Sequence, residues 1–223
     1  MCHQHAQLDW RPGDVPVSTR FDDPYFSLDD GLAETRHVFL AGNDLPARFA
    51  DGFHIGELGF GTGLNMLVVA EAWSAAGAPG ALHLTSFEAF PMAPDDMARA
   101  LAVFPALAPR AARLLDGIRA GGVIDLGDGI RLTVIAGDAR VTLPTWDGRA
   151  DAWFLDGFSP AKNPELWGAD LMAQIARHTA SNGTVATYTA AGFVRRGLAD
   201  AGFDVTRLPG YGRKRHMTRA RMV

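Results

Sequence analysis

A turn that contains three glycines is the sequence feature with the clearest chemical use. Gly59, Gly61 and Gly63 occupy alternate positions between a short apolar run that ends at Leu58 and a helical pattern that begins at Leu64. Glycine lets the backbone turn tightly and approach a ligand closely, and the first N–H groups of the following helix have no acceptor within it. The turn therefore predicts a cofactor-binding loop, although glycine turns of this kind also occur as purely structural turns.

The spacing and charge of this turn distinguish between cofactors. A dinucleotide-binding fingerprint has the spacing G-x-G-x-x-G, which would place its third glycine at Leu64, whereas the observed spacing is G-x-G-x-G. Glu57 stands two positions before the first glycine, and a carboxylate suits the ammonium group of a methionine moiety better than it suits a pyrophosphate. The turn therefore favours S-adenosylmethionine over a nicotinamide dinucleotide, with Glu57, the three glycines and Asn65 as expected cofactor contacts.

Two further acids are expected in the same crevice. Glu88 closes the second predicted strand, 25 residues after Gly63, where a carboxylate can accept both ribose hydroxyls of a cofactor. Asp138 follows the second strand of a predicted hairpin, where it can accept a hydrogen bond from an adenine amino group. Either acid alone is also compatible with a surface carboxylate at a strand end. Together with Glu57 they form a set of acids at the carboxyl ends of successive strands, which is typical of a ligand-binding crevice.

A buried strand delivers Asp156 to the start of a proline-containing loop. Methyl transfer to nitrogen is an in-line displacement, so a primary amine, mostly protonated near neutral pH, must first present a free lone pair. We expect Asp156 to contact the cofactor, orient the amine and accept its proton, while Tyr25, Phe26 and Phe158 form apolar walls or stack on a base. The structural alternative is that Asp156 caps a helix or fixes the loop. No nucleophilic side chain is expected, and the seven histidines show no metal-ligand spacing.

The order of the predicted elements indicates an α/β fold with a mostly parallel sheet, because short apolar runs alternate with helical patterns. The predicted strands are residues 37–40, 53–58, 82–88, 151–155 and 183–188. The predicted helices are residues 63–76, 94–102, 165–178 and 190–201. A hairpin is expected at residues 123–126 and 130–135, and a closing antiparallel pair at residues 203–208 and 214–218. Residues 21–27 read as a loop.

Length and composition favour one large soluble domain. The chain has 223 residues, 48% hydrophobic and 21% charged. No apolar run approaches the roughly 18 residues of a membrane span, and residues 1–14 lack the apolar region of a secretory signal. Cys2 is the single cysteine and cannot form an internal disulfide, which fits a cytoplasmic protein.

The charge is distributed unevenly along the chain. Residues 1–176 carry 12 Lys and Arg against 23 Asp and Glu, whereas residues 177–223 carry 9 against 2. Clustered Lys and Arg can neutralise phosphates even on a protein whose net charge is −4. The asymmetry therefore indicates either a polyanion-binding surface or a solvated basic face that balances an acidic one.

Five blocks of the sequence resemble the methyltransferase domain of the MnmC family of bifunctional tRNA-modification proteins: residues 21–27, 31–36, 57–65, 156–164 and 189–198. The match runs from about residue 21 to residue 217, and its last two blocks are specific to that family. The resemblance implies a Rossmann-like class I S-adenosylmethionine-dependent methyltransferase fold, with a seven-stranded, mostly parallel sheet whose last strand is antiparallel. We further expect a methyltransferase domain at residues 51–223 that carries a β-hairpin insertion. Residues 1–50 are expected to form an N-terminal extension that packs on or covers the cofactor site of this domain.

The resemblance also implies a substrate and its partners. The expected reaction converts 5-aminomethyl-2-thiouridine to 5-methylaminomethyl-2-thiouridine at the wobble position of tRNA. Because the sequence ends at Val223, before the flavin oxidase domain of bifunctional members, we expect cooperation with a separate flavin-dependent oxidase. His216 stands where an acid is expected. The candidate contacts to tRNA are Lys162, Arg195, Arg196, Arg213, Lys214 and Arg215.

Two other functions remain compatible with the sequence. The first is a methyltransferase or aminopropyltransferase that acts on a small amine, which the acids around the pocket and the negative net charge would suit. The second is a nucleotide-binding or RNA-binding adaptor that kept the fold and lost catalysis. The presence of all four acids argues against this alternative: Glu57, Glu88, Asp138 and Asp156.

Overall fold

The computed structural model describes residues 5–27, 30–77 and 80–223, so Cys2 lies outside the described residues. The described chain begins with a small antiparallel sheet of three strands, β1 (Leu8–Arg11), β2 (Val15–Ser18) and β3 (Asp23–Pro24). A short helix, α1 (Gly31–Thr35), follows this sheet. The carboxylate of Asp30 caps α1 by accepting the backbone N–H of Ala33 at 2.9 Å, which satisfies one of the free donors at the helix start.

Eight strands form the central sheet. They are β4 (Phe53–Leu58), β5 (Leu82–Glu88), β6 (Ile124–Gly127), β7 (Ile130–Ala136), β8 (Ala150–Leu155), β9 (Thr179–Thr187), β10 (Phe203–Pro209) and β11 (His216–Met222). Their order across the sheet is β10-β11-β9-β8-β4-β5-β7-β6. The strand pairs between β9 and β7 are parallel, whereas β11 is antiparallel to β9 and to β10.

The predicted α/β fold with a mostly parallel sheet and an antiparallel last strand is therefore confirmed. The sheet has eight strands rather than seven, because β6 pairs antiparallel with β7 and extends the sheet edge. The hairpin predicted from the sequence is thus present, and its first strand belongs to the main sheet.

Helices cover both faces of this sheet. They are α2 (Leu64–Ala75), α3 (Pro94–Leu101), α4 (Ala108–Ala120), α5 (Ala139–Thr142), α6 (Ala169–Arg177) and α7 (Gly192–Asp200). Residues alternate between the two faces along each strand, so that in β8 Phe154 packs into the core that contains α2 and Trp153 into the core that contains α6 and α7. No helix in the described part of the chain is both long and apolar enough to cross a membrane.

Several features of the chain differ from the prediction. Residues 37–40 are not a strand: Arg36–Leu40 form a π-helical turn that continues α1, and Val38, Phe39 and Leu40 are all buried. A continuous apolar run of this length does not distinguish a buried strand from a buried helical turn. The helix predicted at residues 165–178 is a 3-10 turn, Pro164–Trp167, followed by α6. The first sheet and α4 were not predicted.

Arg48 anchors the segment between α1 and β4 to the main sheet. Its guanidinium donates hydrogen bonds to the backbone oxygens of Asn43 and Asp151 at 3.0 Å and to the hydroxyl of Thr184. Asp44 in the same segment accepts hydrogen bonds from Arg219 and from Arg221 of β11. The N-terminal residues are therefore attached to the central sheet by charge-assisted hydrogen bonds as well as by packing.

Candidate active site

A large cavity opens at the carboxyl ends of the central strands. Its volume is about 1310 Å³, above the roughly 300–1,000 Å³ that is usual for a pocket that holds one small molecule. Its walls come from the N-terminal segment, the glycine turn, the ends of β5, β7, β8 and β9, and the β10–β11 turn. This is the crevice in which open α/β sheets bind ligands.

The glycine turn needs glycine because of its backbone angles and its close neighbours. The φ angles of Gly59, Gly61 and Gly63 are +88°, +54° and +80°, a region that side chains disfavour. A Cβ on Gly59 would lie 2.3 Å from the backbone oxygen of Asp156, and one on Gly61 would lie 3.1 Å from the ring of Tyr25. The turn is therefore a tight backbone cradle held between the end of β8 and the N-terminal segment.

Glu88 holds the glycine turn in place from the end of β5. Its two carboxylate oxygens accept the backbone N–H groups of Gly61, at 3.0 Å, and of Phe90, at 2.8 Å. Burial raises the pKa of Glu88, and these backbone hydrogen bonds oppose that rise. Glu88 lies on the cavity wall, where its remaining lone pairs are available to hydroxyl donors such as those of a ribose.

Glu57 lies behind the cavity wall rather than on it. Its side chain is fully buried, is absent from the cavity lining and accepts hydrogen bonds from the hydroxyl of Ser86 and the amide of Asn65. Burial raises the pKa of Glu57 well above its usual value. In this arrangement Glu57 is hydrogen-bonded to Asn65, which does line the cavity, and the contact of Glu57 with the cofactor stays a prediction.

Asn65 connects three segments of the site. Its amide nitrogen donates to Glu57 at 3.0 Å and to Asp156 at 2.6 Å, and its amide oxygen accepts the hydroxyl of Thr35 at 2.8 Å. Thr35 belongs to α1, Asn65 to α2, and Asp156 follows β8. Thr35 and Glu57 therefore hold Asn65 in the orientation that donates to Asp156, which a sequence cannot reveal because the residues are far apart along the chain.

Asp156 lies on the cavity wall directly after β8 and is partly buried. Burial raises its pKa from 3.8 to about 7, while the hydrogen bond from Asn65 and the charge of Lys214 lower it and the charge of Glu34 raises it. A carboxyl group with a pKa near neutrality can accept a proton and release it at physiological pH. This property is compatible with the proton-acceptor role predicted for Asp156, which stays a prediction.

Asp138 caps α5 at the end of β7. Its carboxylate accepts the backbone N–H of Arg140 at 2.9 Å and pairs with the guanidinium of the same residue. This guanidinium holds the pKa of Asp138 below its usual value. Both residues line the cavity, so the predicted contact with an adenine amino group would share this carboxylate with Arg140.

Aromatic rings from the N-terminal segment and from the loop after β8 form the part of the cavity wall next to the glycine turn. Phe158 stacks on Phe21 with ring centroids 4.7 Å apart and meets Tyr25 edge-on at 5.0 Å. Phe26 lines the same cavity and packs edge-on against Phe104. The backbone N–H of residue 159 donates to Asp23, which ties the loop after β8 to the first sheet. Tyr25, Phe26 and Phe158 therefore lie together, as the predicted apolar wall requires.

The candidate tRNA contacts fall into three groups. Lys162 lines the cavity and pairs with Asp22 and Asp23, and Lys214 pairs there with Glu34. Arg213 lines the cavity and Arg215 follows it in the exposed β10–β11 turn. Arg195 and Arg196 lie on α7 and are not part of the cavity wall.

Sequence reasoning missed several polar residues of the cavity wall, among them Arg20, Glu34, Arg140 and Tyr188. Tyr188 directly follows β9, and its position at the carboxyl end of a parallel strand was a usable signal. For Glu34 the signal was weaker, because nothing in a single sequence shows that α1 faces the cavity. Within residues 5–27, 30–77 and 80–223 the structure contains no group of three or more His, Cys, Asp or Glu arranged to hold a metal ion.

Comparison with known proteins agrees with this geometry. A family model described as S-adenosyl-L-methionine-dependent methyltransferase matches residues 113–223. The tRNA 5-methylaminomethyl-2-thiouridine biosynthesis bifunctional protein MnmC of Pseudomonas paraeruginosa is 50% identical over 225 residues, covering 96% of this chain and 34% of that protein. Its counterpart in Chromobacterium violaceum is 48% identical over 229 residues, covering 98% and 34%. The chain thus spans about a third of the length of these relatives.

A solved structure gives the same result. The crystal structure of MnmC2 from Aquifex aeolicus matches with a TM-score of 0.75 at 25% identity, covering 97% of this chain and 70% of that one. The cofactor predicted from the glycine turn and the class that the resemblance implies are therefore confirmed: the chain is a Rossmann-like, S-adenosylmethionine-dependent methyltransferase. Within this class it is homologous over nearly its whole length to the methyltransferase part of the MnmC proteins.

The residues present fit S-adenosylmethionine. The glycine turn brings its backbone to the cavity wall just before α2 begins, and Glu88 on the adjacent strand end offers a carboxylate to hydroxyl donors. Asp138 lies on the next strand end, and Asp156 supplies negative charge on the cavity wall. A cofactor that carries hydroxyl, amino and cationic groups is complementary to this set of acceptors.

Proposed function

We propose that the protein methylates the aminomethyl group of 5-aminomethyl-2-thiouridine at the wobble position of tRNA, giving 5-methylaminomethyl-2-thiouridine. The observation that carries the proposal is the position of Asp156, with a pKa of about 7, on the wall of a cavity of about 1310 Å³. This volume leaves room for a nucleoside beside the cofactor. The names of the MnmC relatives, which cover 96–98% of this chain, supply the substrate.

S-adenosylmethionine supplies an electrophilic methyl group when it is bound. Gly59, Gly61 and Gly63 would hold it with Asn65, Glu88, Asp138 and Asp156, as the sequence predicts. Glu57 supports this set from behind, since its carboxylate fixes Asn65. The protein's own contribution is mainly to position the two reactants, because such a displacement needs no covalent step on the enzyme.

Asp156 would handle the proton of the substrate amine. The amine nitrogen forms its new bond to the methyl carbon as the bond from that carbon to sulfur breaks, and the nitrogen loses one proton overall. At neutral pH a large fraction of Asp156 is ionised and can accept that proton. The rings of Tyr25, Phe26 and Phe158 exclude water from the amine, which favours its neutral form.

Basic side chains around the cavity would position the tRNA while the modified base enters the pocket. Lys162, Arg213 and Lys214 line the cavity and Arg215 follows them in the exposed β10–β11 turn, and Arg195 and Arg196 of α7 would extend this basic surface. We also propose that residues 1–50 cover the cofactor site of the domain formed by residues 51–223. A tRNA substrate implies a cytoplasmic location, and a flavin-dependent oxidase would cooperate by releasing the primary amine.

The test uses labelled S-adenosylmethionine and tRNA from cells that lack the wobble methyltransferase. Nucleoside mass spectrometry should detect labelled 5-methylaminomethyl-2-thiouridine with the wild-type protein and at least about a hundredfold less with Asp156→Asn. Glu71→Gln is the matched control, because Glu71 pairs with Arg110 outside the cavity. Tight cofactor binding without labelled tRNA would refute the tRNA substrate and favour a small amine.

A further inference from the structure

The ammonium group of Lys214 occupies a preformed site inside the cavity. Its Nζ lies 2.7 Å from a carboxylate oxygen of Glu34 and 4.0 Å from the centre of the Tyr188 ring. The Glu34 side chain is only 14% exposed, whereas that of Lys214 is 45% exposed. A carboxylate and an aromatic face together make a binding site for a compact cation.

This site is held rigidly from behind. The hydroxyl of Tyr188 donates to the backbone oxygen of Gly157 at 2.7 Å, and its ring packs edge-on against Trp167. Glu34 precedes Thr35, whose hydroxyl is bonded to Asn65. The Tyr188 ring is thus held by contacts that do not involve Lys214, and the backbone that carries Glu34 is anchored through the neighbouring Thr35.

The order of the strands separates this site from the expected cofactor contacts. Asp138, Glu88 and the glycine turn follow β7, β5 and β4, on one side of Asp156. Tyr188 follows β9, on the other side of Asp156, and Glu34 reaches the same side. Neighbouring strands lie about 4.8 Å apart, so Tyr188 stands about two strand spacings from the glycine turn.

We propose that Glu34 and Tyr188 form the subsite that captures the cationic aminomethyl group of the substrate, and that Lys214 fills it in the free protein as a tethered substitute. The end of a lysine side chain, a methylene group that carries an ammonium, is chemically the same as an aminomethyl group in its protonated form. Tyr188 is hydrogen-bonded to the backbone of Gly157, the residue that follows Asp156, and β9 is the strand next to β8, so the subsite lies beside that carboxylate.

This assignment rests on the proposed function, because it assumes an amine substrate. It predicts that Lys214 and the substrate compete for Glu34. The displaced Lys214, in the β10–β11 turn, is then free to contact a phosphate. The other possible source of an ammonium group is the amino acid part of the cofactor. Measurements of cofactor binding distinguish this source from the substrate amine.

The first experiment measures steady-state kinetics with the tRNA and cofactor affinity by calorimetry. Glu34→Gln should raise KM for tRNA at least about tenfold and leave the Kd of S-adenosylmethionine within about twofold of wild type. Glu71→Gln, which breaks a comparable ion pair outside the cavity, should change neither. A weaker affinity for the cofactor with an unchanged KM for tRNA would overturn the proposal and assign the subsite to the ammonium group of the cofactor. No change in either quantity would also overturn it, because the ion pair would then be purely structural.

The second experiment needs no tRNA and so stands apart from the proposed function. In cofactor-loaded Lys214→Ala, n-butylammonium should bind at least about tenfold more tightly than in wild type, and adding Glu34→Gln should abolish this gain. A failure of tRNA methylation together with this result would refute the substrate and keep the ammonium subsite. Equal binding to wild type and Lys214→Ala would overturn the subsite itself, provided that both proteins show the same unfolding midpoint.

Discussion

Replacing Asp156 by asparagine should stabilise the protein at alkaline pH while it removes methyl transfer. Burial raises the pKa of Asp156 from 3.8 to about 7, so the folded state holds this proton more tightly than the unfolded state. The stability that the group contributes is fully present below about pH 4 and is lost as the pH rises towards 7. The difference between the two pKa values corresponds to roughly 4 kcal/mol of unfolding free energy lost above neutrality.

Asparagine at position 156 has no charge to desolvate. It keeps a side-chain oxygen that can accept the hydrogen bond that Asn65 donates to Asp156 in the wild-type protein, at 2.6 Å. Without cofactor, Asp156→Asn should therefore exceed wild type by up to roughly 4 kcal/mol near pH 8 and match it near pH 4. Urea denaturation of both proteins between about pH 4 and pH 8 measures the difference in their free energies of unfolding. Groups that titrate in both proteins contribute equally and cancel in this difference. A difference that does not change with pH would show that the carboxyl group is solvated in the ordinary way, and the reasoning would fail.

Three further predictions follow from the site. Gly59→Ala should lower the free energy of unfolding by about 1–3 kcal/mol more than Gly52→Ala does, as measured by chemical denaturation. Both glycines have a positive φ, but only Gly59 is crowded, by the backbone of Asp156. Equal losses in the two variants would contradict this close approach. The affinity for S-adenosylmethionine should rise about tenfold between about pH 6 and pH 8 as Asp156 ionises, and calorimetry of Asp156→Asn should show no such rise. Replacing Arg213 and Arg215 by alanine should weaken tRNA binding and reduce the slope of log affinity against log salt by about one to two, so an unchanged slope would exclude phosphate contacts.

The sequence specified those parts of the structure that depend on local pattern. The glycine turn, the mostly parallel sheet and the placement of Asp156 after a buried strand all follow from spacing and periodicity. The burial of Glu57 could not be predicted, because it depends on Ser86 and Asn65 meeting it across two elements. Helix α4 was missed because few of its positions are buried, and residues 37–40 were misassigned because three consecutive apolar residues fit either a strand or a helical turn.

The cavity wall shows a related limit. Lys214 and Glu34 are 180 positions apart, and each, taken alone in the sequence, is an ordinary surface charge. Lys214 was expected to contact phosphate, whereas the structure pairs it with Glu34 inside the cavity. Long-range ion pairs of this kind depend on how the β10–β11 turn and α1 approach each other, which requires the complete fold.

The hairpins at the two ends of the central sheet have a consequence for how the protein avoids aggregation. Exposed strand edges invite pairing with other chains, and here one edge is β6, a strand of four residues that pairs through an irregular register. The other edge is β10, which exposes Asp204, Thr206 and Arg207 and ends at Pro209. Short length, irregular pairing, charge and proline all discourage strand addition. Any assembly of this chain, with itself or with a partner, should therefore use its helices and loops and leave both sheet edges free.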